Sequence, residues 1–331
     1  MLKLPTDILQ FVQTFFILAK RSVLPLVCRT FRNVVPLVPS EKKQFDALVS
    51  LHETSLVQSL LGLSIVRDDA KGVALLVKLG ADRNAPRYFN DGTFTLTGNF
   101  YTAVYLAVKK GSVSTLAELL GADPDQCPAW QGNSLLTVAC ENSRLETVKY
   151  LLSRGTDPNH ANRYGDTPCS IASMNGDVEC LRVLAEGAAG QGISLDVDSK
   201  NNTGDAPILR ACRENNHEVV RWLLDHDADP NCTQDQMGEK TPLMYAAGFG
   251  NMECIRALDK GSERNDRSLD VNAMCTCMPW LGDLDIGEGK TALDYTPAHF
   301  REVVAYLNKI GAVTGEEVHA LSCSSRKLSA T

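Results

Sequence analysis

The chain has 331 residues, of which 44% are hydrophobic and 22% are charged, and its formal net charge at pH 7 is −7. This is ordinary globular composition and argues against an intrinsically disordered chain. An acidic surface repels phosphate, so nucleic acids and anionic membranes are not expected as partners. The 11 cysteines are scattered without a paired spacing, which favours free thiols in a reducing compartment.

The N-terminal region contains a moderately apolar stretch, from Ile8 to Ala19, that must be tested as a targeting signal. Asp7, Gln10 and Gln13 interrupt or flank it. The stretch is too short to span a bilayer and too polar for a signal peptide. We therefore expect an intracellular protein, in the cytoplasm or the nucleus.

The first 40 residues also contain two apolar segments at a defined spacing. Leu4-Pro5-Thr6-Asp7-Ile8-Leu9 begins the first, the run from Val23 to Arg32 forms the second, and 23 positions separate Pro5 from Cys28. These features resemble the F-box, a module that docks onto the Skp adapter of cullin–RING ubiquitin ligases. The resemblance implies an exposed apolar patch that faces the adapter. The residues assigned to this patch are Leu4, Pro5, Ile8, Leu9, Val12, Val27, Cys28 and Phe31.

The middle of this segment departs from the F-box pattern. Lys20-Arg21-Ser22 stand where an acidic or aliphatic residue is usual, and Pro25 interrupts the later helix. The alternative interpretation is an N-terminal helical cap that shields the repeats that follow.

From residue 102 onward, one short phrase recurs along the chain. Two clear copies are Gly165-Asp166-Thr167-Pro168 and Gly238-Glu239-Lys240-Thr241-Pro242-Leu243. Each copy continues into small residues, a turn and paired aliphatic residues. We number six repeats by the Thr-Pro position, which falls at Thr102, Ser134, Thr167, Ala206, Thr241 and Thr291, at intervals of 32, 33, 39, 35 and 50 residues.

Each part of this phrase has a physical role. The threonine can cap a helix, and proline in the first turn costs no hydrogen bond. Small pairs such as Ala246-Ala247 allow neighbouring helices to approach, and Gly176 and Gly250 suit a left-handed turn between two helices. Leu151-Leu152 and Leu223-Leu224 then supply the core face of the second helix. A period near 33 residues with this helix-turn-helix pattern resembles the ankyrin repeat family.

Two further features follow from this resemblance. The segment from Thr54 to Asn84 looks like a degenerate repeat that caps the stack, and Thr291 to Ala312 closes it. The histidine that usually follows Thr-Pro-Leu, and that normally links neighbouring repeats, is missing, which implies a looser stack. The residues in its place are Tyr105, Thr137, Ser170, Leu209, Met244 and Asp294.

The sequence thus predicts an all-α protein, an ankyrin-repeat solenoid of about six to seven repeats preceded by a short helical F-box-like segment. The predicted division is an F-box-like segment at 1–40, a linker helix and degenerate repeat at 41–100, the ankyrin domain at 101–313 and a flexible tail at 314–331. The resemblance implies a non-enzymatic protein that selects substrates for a cullin–RING ubiquitin ligase. The alternative is a plain ankyrin scaffold with a helical cap.

Insertions indicate where a partner binds. Gly187 to Asp198 and Arg264 to Leu284 lengthen two repeats, and Arg83 to Tyr101 is a long connector. Extra length in a solenoid emerges as loops on one face, and aromatic, Arg and Met side chains there are typical interface anchors. We expect a protein partner on the fingers and the concave face, unless these aromatic residues fold back onto the stack. The expected contacts are Trp130, Arg163, Tyr164, Met237, Met278 and Trp280.

No catalytic, metal or cofactor site is predicted. Gly287 to Thr291 lacks the earlier glycine of a phosphate-binding loop, because that position is Leu284. Cys275-Thr276-Cys277 has no second ligand pair nearby, so free thiols are expected instead of zinc. The six histidines are dispersed and indicate no catalytic group.

Overall fold

The structure is a computed structural model that describes residues 61–62, 64–78, 81–83, 87–88, 100–120, 134–234, 238–262, 267–275 and 289–328. The chain divides into two compact units. The first includes the described residues up to Ala107 together with 114–120, and the second includes 108–113 and the described residues from 134 onward.

The first unit contains the upstream segment and part of the first repeat. Its helix α1 spans Ala70–Lys78, and two strands, β1 (Arg87–Tyr88) and β2 (Phe100–Tyr101), pair antiparallel. Helices α2 (Ala103–Lys110) and α3 (Val113–Leu119) form the first repeat.

A short hydrogen-bonded contact explains why the division falls inside the first repeat and not at residue 100. The hydroxyls of Ser114 and Thr115 donate to the carboxylate of Asp68, at 2.9 Å and 2.8 Å. Arg83 Nη1 donates to the carbonyl of Leu119 at 3.1 Å. The second helix of the first repeat is therefore bound to the upstream segment.

The second unit continues the pattern of paired helices. Its first helices pack in one layer, each against the next, and the second helices from the second to the fifth repeat pack in another. The helices are α4 (Leu135–Glu141), α5 (Leu145–Ser153), α6 (Pro168–Asn175), α7 (Val178–Gly190), α8 (Pro207–Arg213), α9 (His217–Leu224), α10 (Pro242–Phe249), α11 (Met252–Ser262), α12 (Ala292–Tyr295), α13 (Arg301–Lys309) and α14 (Gly315–Leu328).

Hydroxyl caps begin the first helices, as the repeated phrase predicts. The side chains of Ser134, Thr167 and Thr241 each accept a hydrogen bond from the backbone N–H three residues on, at 3.1–3.3 Å. Thr102 does the same at 3.1 Å. Ala206, the anchor of the fourth repeat, has no side chain that can cap its helix.

The turn between paired helices requires a left-handed residue, and the predicted glycines supply it. Gly176 has φ 75° and Gly250 has φ 73°. In the second and fourth repeats Ser143 and Asn215 adopt the same region, at φ 51° and 61°. Asn tolerates this conformation better than most residues, whereas serine accepts more strain there.

The core is built from the aliphatic pairs and small residues of the repeats. Leu151 and both Leu223 and Leu224 are fully buried, and Leu152 is nearly so. Ala246 and Ala247 are also fully buried, which permits α10 to lie close to its neighbours. Burial of each leucine contributes roughly 1.5–3 kcal/mol.

The first insertion differs from the expectation of a loop, because its residues 187–190 are helical, whereas α11 ends at Ser262, before the second insertion begins. Helix α7 continues to Gly190 and α11 to Ser262, so these are 13 and 11 residues long, against nine in α5. A glycine lies where each extended helix meets the preceding repeat. A Cβ on Gly187 would lie 2.6 Å from Leu152 Cδ1, and one on Gly261 would lie 2.4 Å from Leu224 Cδ1.

Where the sequence predicts a flexible tail from residue 314, Gly315–Leu328 form helix α14. Thr314 and Glu317 cap its start reciprocally: Thr314 N–H donates to Glu317 Oε2 at 2.8 Å, and Glu317 N–H donates to Thr314 Oγ1 at 3.4 Å. The Thr-x-x-Glu spacing was readable from the sequence as a helix start. None of the described helices is long and apolar enough to cross a membrane.

Candidate protein-binding face

The candidate site lies on the side of the second unit where the fingers meet the first helices. A finger is the segment between the second helix of one repeat and the anchor of the next. Three positions relative to the anchors contribute to it, namely the residue before an anchor and the residues four and seven after it. From these positions in the third to sixth repeats we define the inner stripe as Asp166, Met174, Asp205, Arg210, Arg213, Lys240, Tyr245, Lys290 and Tyr295.

The finger of the third repeat presents two predicted contact residues at its tip. Arg163 and Tyr164 are both exposed, and the Arg163 guanidinium lies 4.6 Å from the centre of the Tyr164 ring. Asn162 fixes the turn, because its side-chain oxygen accepts the backbone N–H groups of Tyr164 and Asp166 at 2.9 Å each. The tip is therefore an exposed aromatic and cationic pair on an ordered turn.

Behind this tip, an ion pair joins one repeat to the next. Arg210 Nη2 contacts Asp166 Oδ1 at 2.5 Å, and only 11% and 15% of these side chains are exposed. Asn201 donates to the same carboxylate oxygen at 2.8 Å. Arg210 also lies beside the exposed Met174, with 3.9 Å between Nη1 and Sδ.

The inner stripe continues as alternating cations and aromatic rings. Arg213 contacts Asp205 at 2.9 Å and lies 4.9 Å from the centre of the Tyr245 ring. Lys240 Nζ lies 5.9 Å from the centre of that ring and 4.8 Å from the centre of the Tyr295 ring. These separations are within the range of cation–π attraction.

Both tyrosine rings are held by their hydroxyl groups. Tyr245 donates to the side-chain oxygen of the buried Gln234, and Tyr295 Oη lies 3.3 Å from Cys275 Sγ. Partial burial raises the pKa of Tyr245, although Arg213 opposes the shift. Burial and the hydrogen bond with Cys275 raise the pKa of Tyr295. Both phenols are therefore neutral at physiological pH.

Asparagine side chains supply links between repeats where the family's histidine is missing. Asn175 Nδ2 donates to the carbonyls of Cys140 and Glu141 in the preceding repeat, at 3.3 Å and 3.2 Å. In the next repeat, Asn216 Nδ2 donates to the carbonyls of Ser173 and Met174, at 3.0 Å and 2.8 Å.

The fifth repeat continues this series. Asn251 Nδ2 donates to the carbonyl of Cys212 at 2.7 Å. These bonds satisfy carbonyls at the ends of first helices, which otherwise lack partners. The looser stack implied by the lost histidine is thus offset by a different residue at a different position.

The buried cysteines do not form a reactive site. Cys140 and Cys180 lie 3.4 Å apart at their sulfurs, and both are free thiols. The hydrogen bond with Cys180, followed by burial, raises the pKa of Cys140, and burial raises the pKa of Cys169 to about 12. A protonated thiol is a poor nucleophile. Within the described residues, no group of three or more His, Cys, Asp or Glu side chains could hold a metal ion.

Several residues predicted from the sequence fall outside the described residues, so their roles stay predictions. They are the eight adapter-facing residues from Leu4 to Phe31, and Trp130, Met237, Met278 and Trp280. Sequence reasoning named Arg163 and Tyr164 at the finger tip but missed the inner stripe. One sequence signal could have revealed the stripe. An Arg or Tyr recurs four residues after an anchor, as Arg210, Tyr245 and Tyr295.

The paired helices, capped anchors and projecting fingers define a repeat protein of the ankyrin type. A family model described as ankyrin repeats (3 copies) matches residues 55–162, 100–193, 154–234 and 188–268, which together cover more than half of the chain. The chain belongs to the ankyrin-repeat family, and the predicted all-α ankyrin solenoid is confirmed.

Two curated relatives match this chain over only part of their own length. Human transient receptor potential cation channel subfamily A member 1 is 33% identical over 145 residues, which are 43% of this chain and 12% of that protein. E3 ubiquitin-protein ligase XB3 of Oryza sativa subsp. japonica is 33% identical over 88 residues, 26% of this chain and 20% of that protein. The chain thus spans a fifth or less of either relative.

Two solved structures share the fold. The ankyrin repeat domain of human ASB11 covers 75% of this chain and 96% of its own, with a TM-score of 0.55 and 20% identity. The ankyrin repeat domain of Bcl-3 covers 75% of this chain and 97% of its own, with a TM-score of 0.53 and 23% identity.

Proposed function

We propose that this protein is a non-enzymatic substrate receptor, whose ankyrin stack holds a target protein while its N-terminal F-box-like segment recruits a Skp-type adapter. Ankyrin repeat domains are protein-interaction modules, which supports the first half of the proposal. Such a receptor acts in the cytoplasm or the nucleus, where cullin–RING ligases work.

The observation that carries target binding is the ordered finger tip of Arg163 and Tyr164. Tyr164 is 49% exposed although it is a large aromatic residue, and its backbone is fixed by Asn162. Exposed aromatic and Arg side chains on a rigid support are the usual anchors of interfaces. Such a pair loses little conformational entropy when a partner binds.

The target-binding half is tested by changing the tip. A photo-crosslinker placed at Asn202, whose N–H donates to the carbonyl of Tyr164 at 2.9 Å, will report targets held at this finger. We expect Tyr164→Ala together with Arg163→Ala to abolish crosslinking at an unchanged melting temperature. The matched control is Arg182→Ala, because Arg182 is also exposed but lies on the second helix α7. Equal loss in the control would contradict a specific role of the tip.

The recruiting half rests on the spacing of the N-terminal motif, with Pro5 and Cys28 23 residues apart. The rice relative is named as a ubiquitin ligase, which agrees with this proposal. Only 20% of that protein is matched by this chain. Co-precipitation with a purified Skp adapter tests the proposal directly. We expect retention of the wild type and loss with Leu4→Ala and Pro5→Ala. If the wild type is not retained, the chain is a plain ankyrin scaffold with a helical cap.

A further inference from the structure

The charge of the inner stripe changes along the stack. The residue before the anchor is Asp166 in the third repeat and Asp205 in the fourth, but Lys240 in the fifth and Lys290 in the sixth. Each aspartate forms an ion pair with an arginine of the stripe. Arg210 contacts Asp166 at 2.5 Å, and Arg213 contacts Asp205 at 2.9 Å. The two acidic charges are therefore neutralised, and the last two fingers add positive charge.

The residues that face Lys240 are aromatic rather than acidic. Four residues after the fifth and sixth anchors stand Tyr245 and Tyr295, where the fourth repeat has Arg210. Asp166 forms an ion pair with Arg210 of the next repeat. Lys240 instead lies beside Tyr295 of the next repeat, with Nζ 4.8 Å from the centre of the tyrosine ring. A ring attracts the ammonium without cancelling its charge or using all of its N–H donors.

The cations here are held in place before any partner arrives. Lys240 lies between two rings whose hydroxyls are bound by Gln234 and Cys275. The Arg213 guanidinium lies near the Tyr245 ring and uses Nη2 for Asp205, so further N–H donors remain. Ordering a lysine or arginine side chain on binding costs conformational entropy, and these contacts reduce that cost.

From this arrangement we propose that the inner stripe between Arg213 and Tyr295 binds an acidic, extended segment of a partner protein, with Lys240 as the central contact. The inference rests on the proposed target-binding function and assigns it a partner chemistry. Carboxylates of the partner pair with Lys240 and accept hydrogen bonds from the remaining N–H donors of Arg213, while its chain lies along the tyrosine rings. Among the described residues 238–241, the one acidic residue is the exposed Glu239 beside Lys240. Its charge weakens the binding of an acidic partner. The chain's net charge of −7 makes this patch a local exception.

Fluorescence anisotropy of the full-length protein with labelled 12-residue peptides tests the assignment. One probe alternates Glu with Ser, and its matched control alternates Gln with Ser. We expect the glutamate peptide to bind at least about tenfold more tightly, with affinity falling as salt rises, because the contact is between charges. Lys240→Gln should weaken it by about threefold to tenfold, and Glu239→Gln should strengthen it.

The matched control variant is Lys149→Gln. It removes the same charge from an exposed lysine of α5, on the second-helix layer, and should leave binding unchanged. Tyr295→Leu should bind more weakly than Tyr295→Phe, because only phenylalanine keeps a ring beside Lys240.

The inference is overturned if the two peptides bind equally, if neither binds, or if Lys240→Gln and Lys149→Gln have the same effect. Binding only of a peptide with phosphoserine in place of Glu would overturn it in favour of a phosphate site. These failures are separable from failure of the proposed function. Crosslinking at Asn202 that depends on Tyr164 would persist if only the acidic partner is wrong, and would be absent if target binding itself is wrong.

Discussion

At the scale of single residues, one missing oxygen distinguishes the fourth repeat from its neighbours. Ala206 has the extended backbone of a cap residue, with φ −82° and ψ 159°, close to Thr167 at φ −86° and ψ 160°. Threonine fits this environment, because Thr167 and Thr291 are buried at the same position. The N-terminus of α8 is thus shaped for a hydroxyl cap that the sequence lacks.

We therefore predict that Ala206→Thr raises the free energy of unfolding by about 1 kcal/mol, by supplying an acceptor for the backbone N–H of Leu209. Urea unfolding followed by circular dichroism measures the change. Thr167→Ala is the reciprocal control and should lower the value by a similar amount. A loss of stability in Ala206→Thr would mean that the site is too crowded for the methyl group.

A second residue departs from a series of asparagines in the fingers. Asn231 bridges to the next repeat, accepting from Asp270 N–H and donating to the carbonyl of Ser268, both at 2.8 Å. Asp198 holds the equivalent position, and its carboxylate accepts from Asp229 N–H at 2.9 Å but has no side-chain N–H to donate. Partial burial raises the pKa of Asp198 although the Asp229 bond opposes the shift. The fold therefore disfavours its ionised form.

We predict that Asp198→Asn stabilises the protein at pH 7 by about 0.5–1 kcal/mol, through the hydrogen bond its amide gains with the carbonyl of Asp227. A raised folded pKa means that the aspartate destabilises most above that pKa, and less as the pH falls towards the unfolded value of about 3.9. The advantage of the variant should therefore shrink from pH 7 to pH 4.5. Parallel urea titrations at both values test this, and an advantage that grows in acid would contradict it.

At the scale of elements, helix α7 shows how an insertion is absorbed. The helix extends past the point where a Cβ on Gly187 would lie 3.1 Å from Leu152 Cβ, which is backbone-proximal and cannot rotate away. Gly190 in the same helix has nothing within 4 Å of its would-be Cβ. Packing against Leu152 therefore requires a glycine at position 187, whereas no neighbour requires one at position 190.

We predict opposite effects of the same substitution at these two positions. Gly187→Ala should lower the free energy of unfolding by about 1–2 kcal/mol, because α5 and α7 must separate. Gly190→Ala should raise it by up to about 1 kcal/mol, since alanine favours a helix and meets no neighbour. Thermal unfolding of both variants against the wild type is sufficient. Equal effects at the two positions would show that packing against Leu152 is not the constraint.

At the scale of the whole molecule, the second unit depends on contacts between successive repeats. In such a stack, stability is close to a sum of repeat and interface contributions. The bonds from Asn216 to the carbonyls of Ser173 and Met174 belong to the interface between the third and fourth repeats. Asn142 donates instead to Val138 in its own helix, at 2.9 Å.

Asn216→Ala should therefore weaken one interface by about 0.5–1.5 kcal/mol, because a part-buried and an exposed carbonyl lose their donor. Native-state hydrogen exchange is expected to show faster exchange in α6 and α8 than in α4. Asn142→Ala is the control that leaves the interface intact. Uniform acceleration over all helices of the second unit would indicate a single cooperative transition instead.

The sequence by itself determined the repeat, because each of its signals is local. A hydroxyl before a helix, a left-handed turn residue and a leucine pair act within a few residues, so Thr167, Gly176 and Leu151 were readable one at a time. The Thr314–Glu317 cap is equally local, and its Thr-x-x-Glu spacing predicts the start of α14.

Only the tertiary structure decided what lies next to what across repeats. Asn216 and Ser173 are 43 residues apart, and Lys240 meets Tyr295 across an insertion, so no local rule could pair them. Whether an inserted segment becomes loop or helix likewise depends on the room beside Leu152. The inner stripe exists because stacking brings the same positions of successive repeats into one line, and this registry is a property of the assembled fold.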